Sequence, residues 1–236
     1  MRCLLVIMAK APVPGQVKTR LGAGVGAAEA ARLYALFIQD VAEEMNRLVA
    51  PTPGPDSCLT VALAYTPVGS EALFKALLPM GMPLFAQRDG DLGQRLNHIF
   101  NTCFAQGYDQ VHVVGSDSPD LPSGRVTEAI RRLCRPATDV VLGPCRDGGY
   151  YLIGLKQPAP ALFQKIPWST GRVLATTLQC ARQLNLTAAL LDPWDDIDTP
   201  EDLAGFFNRN RHRAEGRHAP GRRTLNDLQK RSVPRR

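Results

Sequence analysis

Histidine, tryptophan, paired cysteines and long apolar runs are all scarce in this 236-residue chain. Each scarcity excludes something. The four histidines, His98, His112, His212 and His218, stand beside no Ser/Asp or Cys partner that would suggest an activated nucleophile. His112 lies inside an apolar run, where packing explains it. The six cysteines, Cys3, Cys58, Cys103, Cys134, Cys145 and Cys180, form no C-x-x-C pair and no zinc spacing. Scattered in this way they read as buried thiols of a reducing compartment rather than as a disulfide framework. The apolar run from Cys3 to Ala9 is too short to cross a bilayer. Lys10, Lys18 and Arg20 follow it without a small-residue cleavage site, so a buried first strand is expected rather than a secretory signal. The expectation is a cytoplasmic protein with no membrane span.

Positive charge is also missing from most of the chain, although the pI is about 9.2. Residues 1–208 carry 18 Lys/Arg against 20 Asp/Glu, whereas residues 209–236 carry 10 against 2. The basicity therefore belongs to a tail. Two units are expected: a folded domain over 1–208, and an Arg-rich tail over 209–236 outside the core. The tail reads as a solvated segment, disordered or an appended helix, rather than a nucleic-acid-binding one. The sequence leaves the oligomeric state open.

What is present is an alternation of short β-branched runs with amphipathic stretches. Strands are expected at 2–8, 59–65, 83–86, 110–115, 139–142, 149–155 and 187–191. Helices are expected at 27–48, 69–78, 92–106, 123–134, 171–184 and 199–208. Residues 50–57 form a Pro/Gly-rich break. This order implies an α/β fold, a mostly parallel sheet covered by helices on both faces. The close spacing of 139–142 and 149–155 allows one antiparallel strand. In such sheets ligands bind at the carboxyl ends of the strands, so the loops there carry the functional argument.

The first loop, from Ala9 to Leu21, holds Lys10, Gly15, Lys18 and Arg20. Gly15 lets backbone approach a ligand, and the cations suit a diphosphate or triphosphate. Gly22-Ala23-Gly24-Val25-Gly26-Ala27 fits G-x-G-x-x-A but does not follow a strand directly, so it reads as a flexible lead-in to the first long helix. Asp117, in Gly115-Ser116-Asp117-Ser118-Pro119, sits at a strand tip, where it could hold Mg²⁺ or Mn²⁺ against phosphates. Asp120 reads as a turn or cap residue. Asp147-Gly148-Gly149 reads as a hairpin turn that also offers a binding edge. Thr199-Pro200-Glu201-Asp202 is a helix start that explains its own acids. It leaves Asp198, which would pair with Asp117 as a second metal carboxylate.

These stretches, with Asp91-Leu92-Gly93-Gln94-Arg95 and Pro167-Trp168-Ser169, resemble in order the GT-A, or nucleotide-diphospho-sugar transferase, superfamily. The similarity is to a bacterial family labelled glycosyltransferase, or transferase associated with radical-SAM and selenoprotein genes. The resemblance implies a three-layer α/β/α sandwich of the GT-A, Rossmann-like type. It implies Lys18, Arg20 and Asp117 as catalytic residues, and Asp117 and Asp198 as ligands of Mg²⁺ or Mn²⁺. Lys10, Gly15, Asp91, Arg95, Asp147, Gly148, Gly149 and Trp168 would contact substrate. Donor and acceptor would be a nucleotide sugar and a small molecule. The chain departs from sugar transferases in having Ser116-Asp117-Ser118 where they carry Asp-x-Asp. Asp-Ser-Pro and Lys-Thr-Arg-Leu are instead similar to nucleotidyltransferases of the molybdopterin and phospholactate type, which use a nucleoside triphosphate and release pyrophosphate. Nucleotidyl transfer, and a non-catalytic nucleotide- or RNA-binding role, stay open at this point.

Overall fold

The computed structural model describes residues 1–49, 58–212 and 219–232. The expected break at 50–57 lies outside them, as does part of the Arg-rich tail. The elements in chain order are β1 (Arg2–Lys10), α1 (Thr19–Val25), α2 (Ala27–Asn46), β2 (Cys58–Thr66), α3 (Glu71–Leu77), β3 (Leu84–Ala86), α4 (Leu92–Ala105) and β4 (Gln110–Gly115). They continue with α5 (Ser123–Leu133), β5 (Val140–Pro144), β6 (Tyr150–Leu155), a 3₁₀ turn at Pro160–Phe163, α6 (Val173–Gln183), β7 (Ala188–Leu190), α7 (Pro200–Asn210) and α8 (Arg222–Ser232). The strands and helices expected from the sequence are all present, with ends moved by one or two residues.

The seven strands form one sheet in the order β3-β2-β1-β4-β6-β5-β7. Only β6 runs antiparallel, against both β4 and β5. β1 is the hinge of the topology. The chain moves outward from it through β2 to β3, then returns to place β4 on its other side. A ligand crevice is expected beyond the carboxyl ends of strands at such a reversal.

Alternation along β1 builds both cores. Leu5, Ile7 and Ala9 point to one face, which α2, α5, α7 and α8 cover through Phe37, Ile38, Val126, Phe206 and Leu225. Leu4 and Val6 point to the other, covered by α4 and α6 through Leu96, Phe100 and Ala181. The result is the expected three-layer α/β/α sandwich. His112 packs in the strand layer as expected, and burial pushes its pKa down to about 3.

Two features differ from the sequence reading. The glycine-rich stretch expected to be a flexible lead-in forms α1. Leu21 is fully buried there, and a Cβ on Gly24 would overlap Pro200 Cγ of α7. Here tertiary packing overrides the poor helix propensity of glycine, because only glycine lets α1 and α7 come this close. The tail expected outside the core is tied to it at α8. Leu225 is buried in the first core, Asp40 of α2 accepts hydrogen bonds from the backbone N–H groups of Arg223 and Thr224, both at 2.9 Å, and Arg32 pairs with Asp227. A helix that is polar nearly all round gives little periodic signal, and the buried carboxylate of Asp40 is what anchors its first turn.

The thiols are mixed: Cys3, Cys103 and Cys145 are buried, Cys180 is half-buried and Cys134 is exposed, and none of these five forms a disulfide. Among the described residues no helix is long and apolar enough to cross a membrane.

Candidate active site

The loop that leaves β1 ends at Lys18, which occupies the left-handed region at φ 48°, ψ 45° and opens α1. For a non-glycine residue that conformation costs about 1 kcal/mol. It aims the side chain inward, with only 4% of its surface exposed. There Nζ forms an ion pair with Asp117 and another with Asp198 at 2.8 Å. Burial alone would lower the lysine pKa, but the two carboxylates outweigh it and hold the ammonium charged more firmly than usual. Arg20, on the exposed side of α1, takes the second oxygen of Asp198 at 2.6 Å. Burial works against ionisation of Asp198, yet Lys18 and Arg20 together keep its pKa below the ordinary carboxylate value.

Three chain segments meet at this point because backbone and side-chain bonds lace them together. Asp117 stands just past β4. Its carbonyl accepts from the N–H of Ile197 at 2.9 Å, which brings the approach to α7 alongside the β4 tip. The start of α7 is fixed by a capping box built on the expected cap Thr199, Asp202 N–H to Thr199 Oγ1 at 3.2 Å and Thr199 N–H to Asp202 at 2.8 Å. Asp202 also accepts the N–H of Asp198 at 3.0 Å, setting that residue's backbone. On the β1 side, the buried Tyr34 hydroxyl shares a hydrogen bond with Ser116 Oγ at 2.7 Å and accepts the Lys10 N–H at 3.2 Å. Burial, then the charge of Asp117, push that phenol up to about 12, so it stays neutral.

Asp196 was not singled out from the sequence, yet it joins the cluster. It accepts from Ser118 Oγ at 2.5 Å and from the Cys145 thiol at 3.3 Å, so it ties the β4 loop to the β5–β6 turn. Burial, then repulsion from Asp117, push its pKa up to about 6. The same surroundings push the Cys145 thiol far up, which makes it an inert donor. Nothing in the order Asp195-Asp196-Ile197-Asp198 says which acid turns inward. Asp195 pairs outside with Arg146 at 2.8 Å. Asp120 lies in the expected turn and is also a buried anchor for α7, accepting from Arg209 Nε at 2.8 Å and Asn210 Nδ2 at 2.6 Å.

Among the described residues, no hydrogen bond or ion pair joins the remaining sequence-derived positions to the Lys18 side chain. Lys10 is exposed and donates to the Gln16 carbonyl at 2.9 Å, and Gly15 has φ 76° with open space where a side chain would be. Asp147 accepts the Gly149 N–H at 2.9 Å in the β5–β6 turn. Gly148 has φ 89°, and a Cβ there would overlap the Gly171 carbonyl. Asp91 caps α4 in a box with Gln94, a signal readable from Asp-x-x-Gln, and Arg95 Nε donates to the Gly90 carbonyl at 2.9 Å. Trp168 packs edge-on to Tyr150 and against the first turn of α4, where a Cβ on Gly93 would come within 2.7 Å of its Nε1. It is half-buried over the second core, so packing accounts for much of its surface.

Asp117 and Asp198 meet the main geometric demand of a shared metal, because one carboxylate oxygen of each reaches the same cation. They keep 40% and 31% of their side-chain surface open. Among the described residues no group of three or more His, Cys, Asp or Glu forms a metal cage. Two carboxylates suit Mg²⁺ or Mn²⁺, which take one or two protein carboxylates and complete their shell with water and substrate phosphates. The donor set therefore fits such an ion.

The sheet order and the layered arrangement define a nucleotide-diphospho-sugar transferase fold, and the comparisons point to the same fold. A protein of Desulfovibrio desulfuricans G20, provisionally named a nucleotide-diphospho-sugar transferase, is 33% identical over 97% of this chain and 95% of its own, with a TM-score of 0.84. The chain belongs to that protein's family. A family model described as an uncharacterised protein conserved in bacteria (DUF2064) matches residues 54–170. Two more distant structures share the fold. One is a CMP:2-keto-3-deoxy-manno-octonic acid synthetase complexed with CTP, 15% identical over 90% of this chain and all of its own, TM-score 0.57. The other is the inositol-1-phosphate CTP transferase of T. maritima, 13% identical over 84% of this chain and 90% of its own, TM-score 0.51. A search of curated proteins returns no match.

Proposed function

We propose that this chain is a cytoplasmic, divalent-metal-dependent transferase that takes a glycosyl group from a nucleotide-diphospho-sugar and passes it to a small-molecule acceptor. The observation that carries the reading is the convergence of Lys18, Arg20, Asp117 and Asp198, from three separate segments, at the carboxyl ends of β1 and β4. In such a transfer the acceptor's nucleophile bonds to the anomeric carbon as the bond from that carbon to the diphosphate oxygen breaks. The acceptor's proton is lost, and the nucleoside diphosphate leaves with added negative charge. In this reading Lys18 and Arg20 bind that charge. Mg²⁺ or Mn²⁺ held by Asp117 and Asp198 would supply further neutralisation of the diphosphate.

One observation favours a second reading. The β4 tip offers a single acid between Ser116 and Ser118, next to a loop rich in cations. That arrangement also suits nucleotidyl transfer, in which a phosphorylated acceptor attacks the α-phosphate of a triphosphate and pyrophosphate leaves. The two readings separate by product. With Mn²⁺ present, sugar nucleotides are incubated with candidate acceptors, and each nucleoside triphosphate with phosphorylated acceptors. Release of nucleoside diphosphate from a sugar nucleotide supports the first reading. Acceptor-dependent pyrophosphate supports the second. If neither exceeds the level of an Asp117→Asn variant, both fail.

A further inference from the structure

Lys18 occupies the position that a cation shared by Asp117 and Asp198 would take. Its Nζ contacts Oδ1 of both carboxylates, and its side chain is 4% exposed, so this is no loose surface pair. Arg20 holds the other oxygen of Asp198 from outside. The two carboxylates of Asp117 and Asp198 are thus matched by two cations. An incoming phosphate meets a lysine already paired twice, and an incoming divalent ion meets carboxylates already paired. Neither binding event completes while the ammonium stays where it is.

We infer that Lys18 is an exchangeable internal counter-cation: the divalent ion displaces its ammonium from Asp117 and Asp198, and the freed ammonium becomes the group that grips the diphosphate. The phosphate ligand rests on the transferase reading above; the exchange at the carboxylates does not. A lysine suits the task, since its compact ammonium rides on four rotatable bonds and can change partners without backbone movement. A divalent ion beside a retained ammonium would suffer strong like-charge repulsion at this distance, so the two compete for one place. The exchange also makes metal and diphosphate mutually reinforcing ligands, because each one draws Lys18 or its carboxylates away from the pairing that opposes the other.

The test measures Mn²⁺ affinity by electron paramagnetic resonance in the full chain, with no nucleotide or acceptor present. Lys18→Met is expected to bind Mn²⁺ at least about tenfold more tightly than wild type, as removal of a competing charge requires. Lys18→Arg keeps the charge and is expected to stay as weak as wild type. Lys18→Met combined with Asp198→Asn is expected to lose the gain. The inference is overturned if Lys18→Met binds no tighter than wild type, if Lys18→Arg tightens equally, or if the gain survives without Asp198. Should Lys18→Met fail to fold by circular dichroism, wild-type protein labelled at lysine ¹³Cε decides the matter. The Lys18 resonance is expected to move on addition of Mg²⁺, and no movement at saturation overturns the inference. Because no substrate is present, a protein inactive in transfer can still show the exchange, and an active transferase can fail to.

Discussion

Asp196 gives the folded protein a stability cost that depends on pH. Its carboxyl accepts from Ser118 and Cys145, and burial with Asp117 nearby pushes it from 3.8 to about 6. An acid that is harder to ionise in the folded state than in the unfolded chain costs nothing below about pH 4, where both states are protonated. The cost grows between pH 4 and 6 and is constant above. At 1.36 kcal/mol per pH unit, the full cost reaches about 3 kcal/mol near pH 7. Asp196→Asn removes the ionisation while keeping the shape and one acceptor oxygen. Urea unfolding of both proteins at pH 4, 5, 6 and 7.5 should show the variant gaining about 2–3 kcal/mol on wild type between the lowest and highest values. A difference that does not change with pH would refute the placement of Asp196 as a buried, crowded carboxyl.

Other expected outcomes follow from individual contacts. Arg209→Met should cost about 3 kcal/mol in urea unfolding, because it strips an ion-pair partner from the 1%-exposed Asp120. Leu225→Ala should cost about 2–3 kcal/mol if α8 is part of the core, and a loss below about 0.5 kcal/mol would detach it. Gly24→Ala drives a methyl into Pro200 and should cost about 1–3 kcal/mol. By parting α1 from α7 it should also weaken Mg²⁺-nucleotide binding measured by calorimetry. Asp117→Asn should leave the melting temperature near wild type and lower turnover by at least about a hundredfold.

The strands and long helices were legible because β1 and β4 are continuous apolar runs and α2 keeps helical periodicity over 20 residues. The site was legible one strand tip at a time: Lys18, Asp117 and Asp198 stand where loops leave the sheet. Spacing alone could not say that these residues touch, since that depends on β1 and β4 being neighbours. Three features were not legible. α1 is held by packing that its glycines permit and its propensity opposes. α8 presents Leu225 and Leu228 to the core and depends on Asp40, far away in the chain. Asp196 turns inward only because Ser118 and Cys145 await it, and neither partner is encoded nearby.

The central claim is that one divalent ion and one nucleotide diphosphate share the cluster of Lys18, Arg20, Asp117 and Asp198. A crystal structure with Mg²⁺ and a nucleoside diphosphate tests it most directly. The account expects the ion about 2.1 Å from carboxylate oxygens of Asp117 and Asp198, with the phosphates against Lys18 and Arg20. Nucleotide bound elsewhere, with Lys18 still clasped between the two aspartates, would contradict it.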